Sequence, residues 1–116
     1  MGDFDAQALD KTFSALADPT RRAILMLLMQ SEARVTDLAA PFDMSLNAIS
    51  KHVRVLERAK LVIREVKGRN HFLSVDIRAL NAALEWIKKY KRFWDSHIDA
   101  LETFLPNRQR NDTSKV

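Results

Sequence analysis

The chain has 116 residues, of which 47% are hydrophobic and 29% charged, enough for one folded domain with a real core. It has no cysteine, which excludes disulfides and thiolate metal sites. It shows no signal peptide and no apolar run near the ~20 residues of a membrane span, so we expect a cytoplasmic protein with no membrane partner. Its net charge of +4 and pI of about 9.7 allow an anionic partner without requiring one.

The first third of the chain predicts two helices with a clear boundary between them. Apolar residues recur at helical spacing over residues 4–17, and a second, densely apolar helix is predicted through Arg21 to about residue 30. Asp18 can cap this second helix, and Pro19 suits its first position, where no N–H is needed. A helix that is apolar all round indicates the buried centre of the domain.

A short helix and a longer one follow, with only a brief connection between them. Thr36 is the expected cap of the short helix over residues 37–40, and Pro41 ends it. Ser45 is a good N-cap for the longer helix, which we expect over residues 45–59. A short helix, a tight turn and a longer polar-faced helix together make a helix-turn-helix.

The longer helix has one apolar and one polar face. Ile49, Val53 and Leu56 recur at helical spacing and form the apolar stripe. The outer face carries Asn47, Ser50, Lys51 and Arg54, with His52 near its edge. Short polar groups on such a helix can reach base edges in a DNA major groove while cations meet phosphates. The alternative is an ordinary surface helix, whose outward face is polar anyway.

Basic charge is concentrated around this helix. Residues 45–70 carry seven Lys and Arg against two Glu, a net of +5, which leaves −1 for the rest of a chain whose total is +4. Such a segment is the electrostatic footprint expected of a nucleic-acid-binding protein, although a solvated basic face is the commoner cause of clustering.

After the longer helix, the hydrophobic period changes to that of strands. Residues 61–66 and 71–75 are rich in β-branched and apolar side chains, and the Lys-Gly-Arg-Asn turn at 67–70 has a glycine and an asparagine that tolerate positive φ. The resulting β-hairpin would carry Lys67 and Arg69 at its tip, either against DNA or as a solvated turn whose charges prevent edge pairing. Following a helix-turn-helix, this hairpin predicts a winged helix and favours DNA binding.

The last predicted helix, which Asp76 can cap, has more apolar surface than one face of a monomer would bury. Its stripe consists of Leu80, Leu84, Ile87, Tyr90, Trp94, Ile98, Leu101 and Leu105, widened by Trp86, Phe93 and Phe104. The surplus indicates a partner helix, unless the aromatic residues cover the domain's own core. We expect one domain over residues 1–105 and a disordered tail over 106–116, where the composition turns polar.

Three segments resemble the ArsR-type winged helix-turn-helix repressors: ALADPTRRAIL at 15–25, AISKHVRVLERA at 48–59 and REVKGRNHF at 64–72. The resemblance covers roughly residues 10–105. It implies a mainly α fold with a small β-hairpin, and a homodimeric regulator that an effector releases from a double-stranded DNA operator.

By matching position, the resemblance also implies roles for individual residues. Groove-facing roles fall on Ser45, Asn47, Ser50, Lys51 and His52, and backbone or wing contacts on Arg54, Lys67 and Arg69. A dimer built from the first and last helices would place Phe13, Leu84, Ile87, Tyr90, Trp94, Ile98 and Leu101 at its interface. Two positions depart from the family: Leu46 stands where glutamine is frequent, and Lys60 replaces a usual glycine at a helix end, which predicts a non-glycine residue in the left-handed region.

Metal binding and catalysis find little support in the sequence. Asp95 and His97 resemble half of the ligand set of some zinc sensors in the family, but Arg108 stands where the next histidine would be, so we expect no cofactor. His71 is expected to be structural or to contact DNA from the wing. No catalytic set of residues is evident. A winged-helix protein-interaction module is the remaining alternative, although exposed aromatics, rather than a basic polar face, would favour it.

Overall fold

A computed structural model describes residues 5–104, with the side chains of 103 and 104 excepted. In chain order its elements are α1 (Ala6–Leu16), α2 (Pro19–Gln30), β1 (Ala33–Arg34), α3 (Val35–Ala39), a 3-10 turn (Ala40–Phe42), α4 (Leu46–Arg58), β2 (Val62–Lys67), β3 (Asn70–Val75) and α5 (Ile77–Phe104). The chain divides into two compact units, one ending at Leu84 and one beginning at Glu85, so that only the first two turns of α5 belong to the first unit. Phe4, the side chain of Phe104, Leu105 and the predicted tail at 106–116 lie outside this description.

The core of the first unit forms around the apolar face of α4. Ile49, Val53 and Leu56 are completely buried, as the helical spacing predicted. They share one cluster with Ile24 and Leu28 of α2. The prediction that α2 is buried all round is wrong, because only one face packs into the core and Met26 and Met29 on the other are exposed. Full burial of each such side chain contributes roughly 1.5–3 kcal/mol. The predicted mainly helical winged helix-turn-helix fold is therefore confirmed. Within residues 5–104, no helix has the length and apolarity needed to cross a membrane.

The predicted β-hairpin is confirmed: β2 and β3 pair antiparallel and form the wing, and a third strand, β1, which was not predicted, joins them in one sheet. Its strand order is β1-β3-β2, with β1 joined through the pair Ala33 and Leu73. Lys67 pairs with Asn70, which leaves a two-residue loop in which Gly68 has φ +63°, the conformation that glycine adopts without strain. Asn70, expected to share this freedom, lies in β3 instead. The strand β1 was missed because two residues carry no readable periodicity.

Three of the four predicted helix caps are confirmed and one is wrong. Side-chain oxygens of Asp18, Ser45 and Asp76 each accept a hydrogen bond from a first-turn N–H at 3.0–3.1 Å. Thr36 is not a cap, because β1 runs directly into α3 and the helix begins one residue before Thr36. The Asp37 carboxylate instead accepts a 3.1 Å hydrogen bond from the Arg34 N–H and satisfies that end of the helix.

Positive φ at the two ends of α4 yields a stability prediction. Lys60 has φ +63°, as expected from its replacement of glycine, and Asp43 has φ +52°. A left-handed residue with a Cβ costs about 1–2 kcal/mol, less for Asp, which tolerates this region better. We expect Lys60→Gly to raise the free energy of unfolding in urea by about 1 kcal/mol, and Asp43→Gly to raise it less. An equal gain at both positions, or a loss at Lys60, would contradict this reading.

Candidate nucleic-acid interface

The polar face of α4 is turned away from the core and is open at its N-terminal end. Ser45 caps the helix through a 3.1 Å hydrogen bond from the Ala48 N–H, and its hydroxyl hydrogen remains available to donate. Asn47 and Lys51 are exposed, and their side chains make no hydrogen bond or ion pair with any residue in the 5–104 range. Leu46, between the two polar residues, is 47% exposed despite its size. This face can therefore offer polar, cationic and apolar groups to a binding partner.

A shallow depression of about 290 Å³ lies between α4 and the wing. Its lining comprises Arg34, Val35 and Thr36 near the start of α3, Leu46 and Ser50 of α4, and Arg64, Arg69, Asn70 and His71 of the wing. The fold thus brings Ser50 and Arg69, two predicted site residues that are distant in sequence, to one surface. Sequence reasoning missed Arg34, Thr36 and Arg64 here, because only the three-dimensional arrangement places them beside the helix.

An ion pair fixes the base of the wing to α4. Arg64 on β2 donates two hydrogen bonds to the Glu57 carboxylate, at 2.9 and 2.8 Å, and the pair is partly buried. The Arg64 hydrogen bond holds the pKa of Glu57 below its ordinary value, although partial burial opposes the shift. A third guanidinium nitrogen lies 3.1 Å from His71 Nδ1, which therefore accepts. His71 therefore has a hydrogen-bond partner within the wing, and it also lines the depression.

A second arginine ties α4 to the junction of α1 and α2. The Arg21 guanidinium donates to the carbonyl oxygens of Ala15 at 2.8 Å and Ser14 at 3.2 Å, which pairs acceptors at the end of α1. It also lies 3.2 Å from Nδ1 of His52, whose ring is half-buried and 3.9 Å from the Asp18 carboxylate. The pKa of Asp18 is lowered, chiefly by the hydrogen bond from the Arg21 backbone N–H. One ring nitrogen of His52 therefore faces the protein interior.

The two cations at the wing tip differ in their surroundings. Lys67 Nζ lies 3.6 Å from the Glu32 carboxylate and 5.1 Å from the centre of the Phe72 ring. Arg69 is exposed and, among the described residues, forms neither an ion pair nor a side-chain hydrogen bond. The sequence treated these cations alike. The contact between Lys67 and Glu32 could not be read from it, because β1 was not predicted.

The distal part of α5 does not gather a metal-binding set. Asp95 forms a 2.9 Å ion pair with Lys91, and the His97 ring stacks on Phe93 with 6.1 Å between ring centres. Within residues 5–104, no three His, Asp or Glu side chains cluster in a way that could hold a metal ion. Asp95 and His97 thus each contact another side chain of the same helix.

Comparisons with known proteins agree on one family. A sequence model described as "Bacterial regulatory protein, arsR family" matches residues 18–64. The chain is 30% identical over 90 residues to the transcriptional repressor SdpR of Bacillus subtilis, a span that is 78% of this chain and 100% of that protein. It is 38% identical over 85 residues to the transcriptional regulator Rv2034 of Mycobacterium tuberculosis, 73% and 77% of the two chains.

Solved structures give the same result. A crystal structure of an ArsR family transcriptional regulator matches with a TM-score of 0.75 and 34% identity over 80% of this chain and 96% of that one. An ArsR-like transcriptional regulator from Rhodococcus sp. RHA1 matches with a TM-score of 0.77 and 27% identity, covering 85% of this chain and 93% of the other. The similarity therefore spans the winged helix as a whole.

The Glu57–Arg64 pair makes stability depend on pH. Because the folded-state pKa of Glu57 is lowered, the pair stabilises the protein above the unfolded-state pKa of about 4.3, and this contribution is lost as the pH falls through the folded pKa. We expect Glu57→Gln to lower the free energy of unfolding by roughly 1–2 kcal/mol at pH 7 and progressively less below pH 5. Glu65→Gln, which removes a mostly exposed carboxylate 3.9 Å from Lys67, is the matched control and should cost under about 0.5 kcal/mol. A loss at Glu57 that does not change with pH would refute this assignment.

Proposed function

The chain belongs to the bacterial ArsR family, a family of DNA-binding transcriptional regulators and not of enzymes, and we propose that it is an effector-released homodimeric repressor. In this proposal α4 and the wing β2–β3 bind an inverted-repeat operator. The supporting observation is that Ser50 of α4 and Arg69 of the wing line one depression. A protein-interaction module is disfavoured because the exposed aromatics lie on α1 and α5 and not on this face.

The proposed contacts divide into base-reading and phosphate-binding groups. Ser45, Asn47 and Ser50 stand on the first turns of α4 and can both donate and accept hydrogen bonds, as base edges require. Lys51, Arg54 and Arg69 are exposed cations suited to phosphates. His52 reaches DNA only with the ring edge that Arg21 leaves free. Lys67 contributes less than Arg69, because DNA must compete with Glu32 for its charge.

Leu46 gives the proposed interface an apolar element. It is 47% exposed in the first turn of α4 and lines the same depression as Ser50. In the major groove, the only apolar group on a base edge is the thymine methyl. Where glutamine in this position would hydrogen-bond adenine, leucine should instead select thymine by covering that methyl group.

Dimerisation is proposed from the exposed apolar residues on α1 and α5. Those more than one-third exposed include Phe13, Leu84, Ile87, Tyr90, Phe93, Trp94, Ile98 and Leu101. The Trp94 ring contacts Tyr90 and Phe93 edge-on, with 6.1 and 6.3 Å between ring centres, and joins them into one aromatic surface. A solved winged-helix domain from Mycobacterium bovis with 22% identity is described as homodimeric. A two-fold dimer would present its two copies of α4 to half-sites about 34–36 Å apart, or a multiple of that.

Base reading and charge attraction should separate in binding titrations. Asn47→Ala or Ser50→Ala should reduce the preference for a selected operator over scrambled duplex by about 1–3 kcal/mol, with the salt dependence little changed. Arg69→Ala should weaken binding to both duplexes and lower the salt slope by about one, whereas Lys67→Ala, its neighbour and matched control, should do so less. Equal losses on operator and scrambled DNA for the α4 variants would remove their base-reading role.

Replacing thymine by uracil, which removes only the methyl group, tests Leu46. One thymine per half-site should be sensitive, with a loss of about 0.8 kcal/mol, or fourfold in affinity, for the methyl contact. The Leu46→Ala variant should bind the thymine and uracil duplexes equally. The assignment fails if no single thymine is sensitive in the parent protein, or if the variant retains the same sensitivity.

Sedimentation equilibrium tests the dimer. We expect a mass of two chains at micromolar concentration, and a shift towards the monomer in Ile98→Glu, because a buried carboxylate without a partner is costly. Met26→Glu on α2, which changes an exposed apolar side chain outside the proposed interface, should remain dimeric. A stable monomer for the parent chain at these concentrations would contradict the proposal.

A further inference from the structure

Two cations of the basic segment do not belong to the proposed DNA surface. Arg58 and Lys60 lie at the C-terminal end of α4, and the 13 residues of the helix separate them from Ser45 by roughly 20 Å. They line a second depression together with Lys11 of α1 and Arg78 of α5, all within the first unit. This cluster is therefore a basic site that the proposed DNA contacts do not explain.

The depression has the size and composition of a ligand site. Its volume is about 500 Å³, within the range of ~300–1,000 Å³ typical of small-molecule sites. Apolar walls come from Ala8, Leu9, Ala59, Ala79 and Ala82, and polar groups from Gln7 and Thr12. Small alanine side chains leave room, while the long cationic side chains can reach a charged group held among them.

The two carboxylates of the lining are already engaged. Asp5 accepts hydrogen bonds from the Gln7 and Ala8 N–H groups, and Asp76 forms a 2.6 Å ion pair with Arg78. Lys11, Arg58 and Lys60 have no carboxylate within 4.0 Å among residues 5–104. An incoming ligand would thus meet a lining with four cations against two carboxylates, a net charge of +2, above an apolar wall.

We propose that this depression binds a small amphipathic carboxylate, and that this ligand is the effector of the repressor. The carboxylate would pair with Arg58 and its neighbouring lysines, and the apolar body would cover the alanine walls. The effector role rests on the proposed function, whereas the ligand site itself does not.

The position of the depression explains how such a ligand would affect DNA binding. Arg58 is the last residue of α4, whose first turns carry Asn47 and Ser50. The next residue after Lys60, Leu61, accepts a 2.9 Å hydrogen bond from the N–H of Asp76, so the end of α4 is joined to the start of α5. A ligand that draws Arg58, Lys60 and Lys11 together would therefore bear on the orientation of the whole helix.

Isothermal titration of the full chain with benzoate and hexanoate tests the site. We expect saturable binding of at least one of them, with a Kd below about 10 mM, no matching binding of benzamide or inorganic phosphate, and at least a tenfold loss in Arg58→Gln. Lys88→Gln, a cation outside the lining, should bind like the parent. The proposed site would be overturned by any of three results: neither acid binds, benzamide binds as well as benzoate, or Arg58→Gln binds the acid as tightly as the parent chain.

The effector role has its own readout. A saturating concentration of the bound acid should lower operator affinity at least fivefold in the parent chain and leave Arg58→Gln unchanged at equal ionic strength. An acid that binds without altering operator affinity would overturn the effector role. A chain that binds the acid but prefers no DNA sequence would refute the proposed function alone, and one that binds operator but neither acid would refute this inference alone.

Discussion

The complete burial of one face of α4 is the constraint on which the rest of the structure depends. Ile49, Val53 and Leu56 have no exposed surface, and a helix turns by about 100° per residue, so burying them fixes the rotation of the whole helix. Asn47 and Lys51 then have to face outwards. The same apolar contacts that stabilise the fold therefore determine which side chains form the proposed DNA-binding face.

Two arginine side chains fix the position of α4 relative to its neighbouring elements. Arg64 joins Glu57 to the wing, and Arg21 joins His52 to the ends of α1 and α2. Partly exposed ion pairs contribute modestly to stability, and their larger effect here is geometric, because bidentate and multiply bonded guanidinium groups hold a fixed orientation. In the proposed function, the surface formed by α4 and the wing is in this way arranged before DNA binds, which would reduce the ordering cost of binding.

The sequence could predict the features that depend on local periodicity and helix capping. It could predict few of the contacts between residues that are distant in the chain. The stripe of α4, the caps at Asp18, Ser45 and Asp76, and the left-handed Lys60 were readable because each rests on spacing within a few residues. The strand β1 and the pairing of Lys67 with Glu32 were not, since β1 pairs with a strand forty residues later and Glu32 meets a lysine thirty-five residues later. The separation of Arg58 from the DNA-facing cations likewise needed the folded helix.

The central claim, that α4 and the wing form one DNA-binding surface, is tested most directly by titrating ¹⁵N-labelled protein with a selected operator duplex. The account predicts that the largest chemical-shift changes fall on residues 45–54 and 67–71, with smaller changes over α1 and α2, because the former contribute to the depression between α4 and the wing and the latter do not. Changes concentrated in α1 and α2, with α4 and the wing tip unmoved, would contradict it.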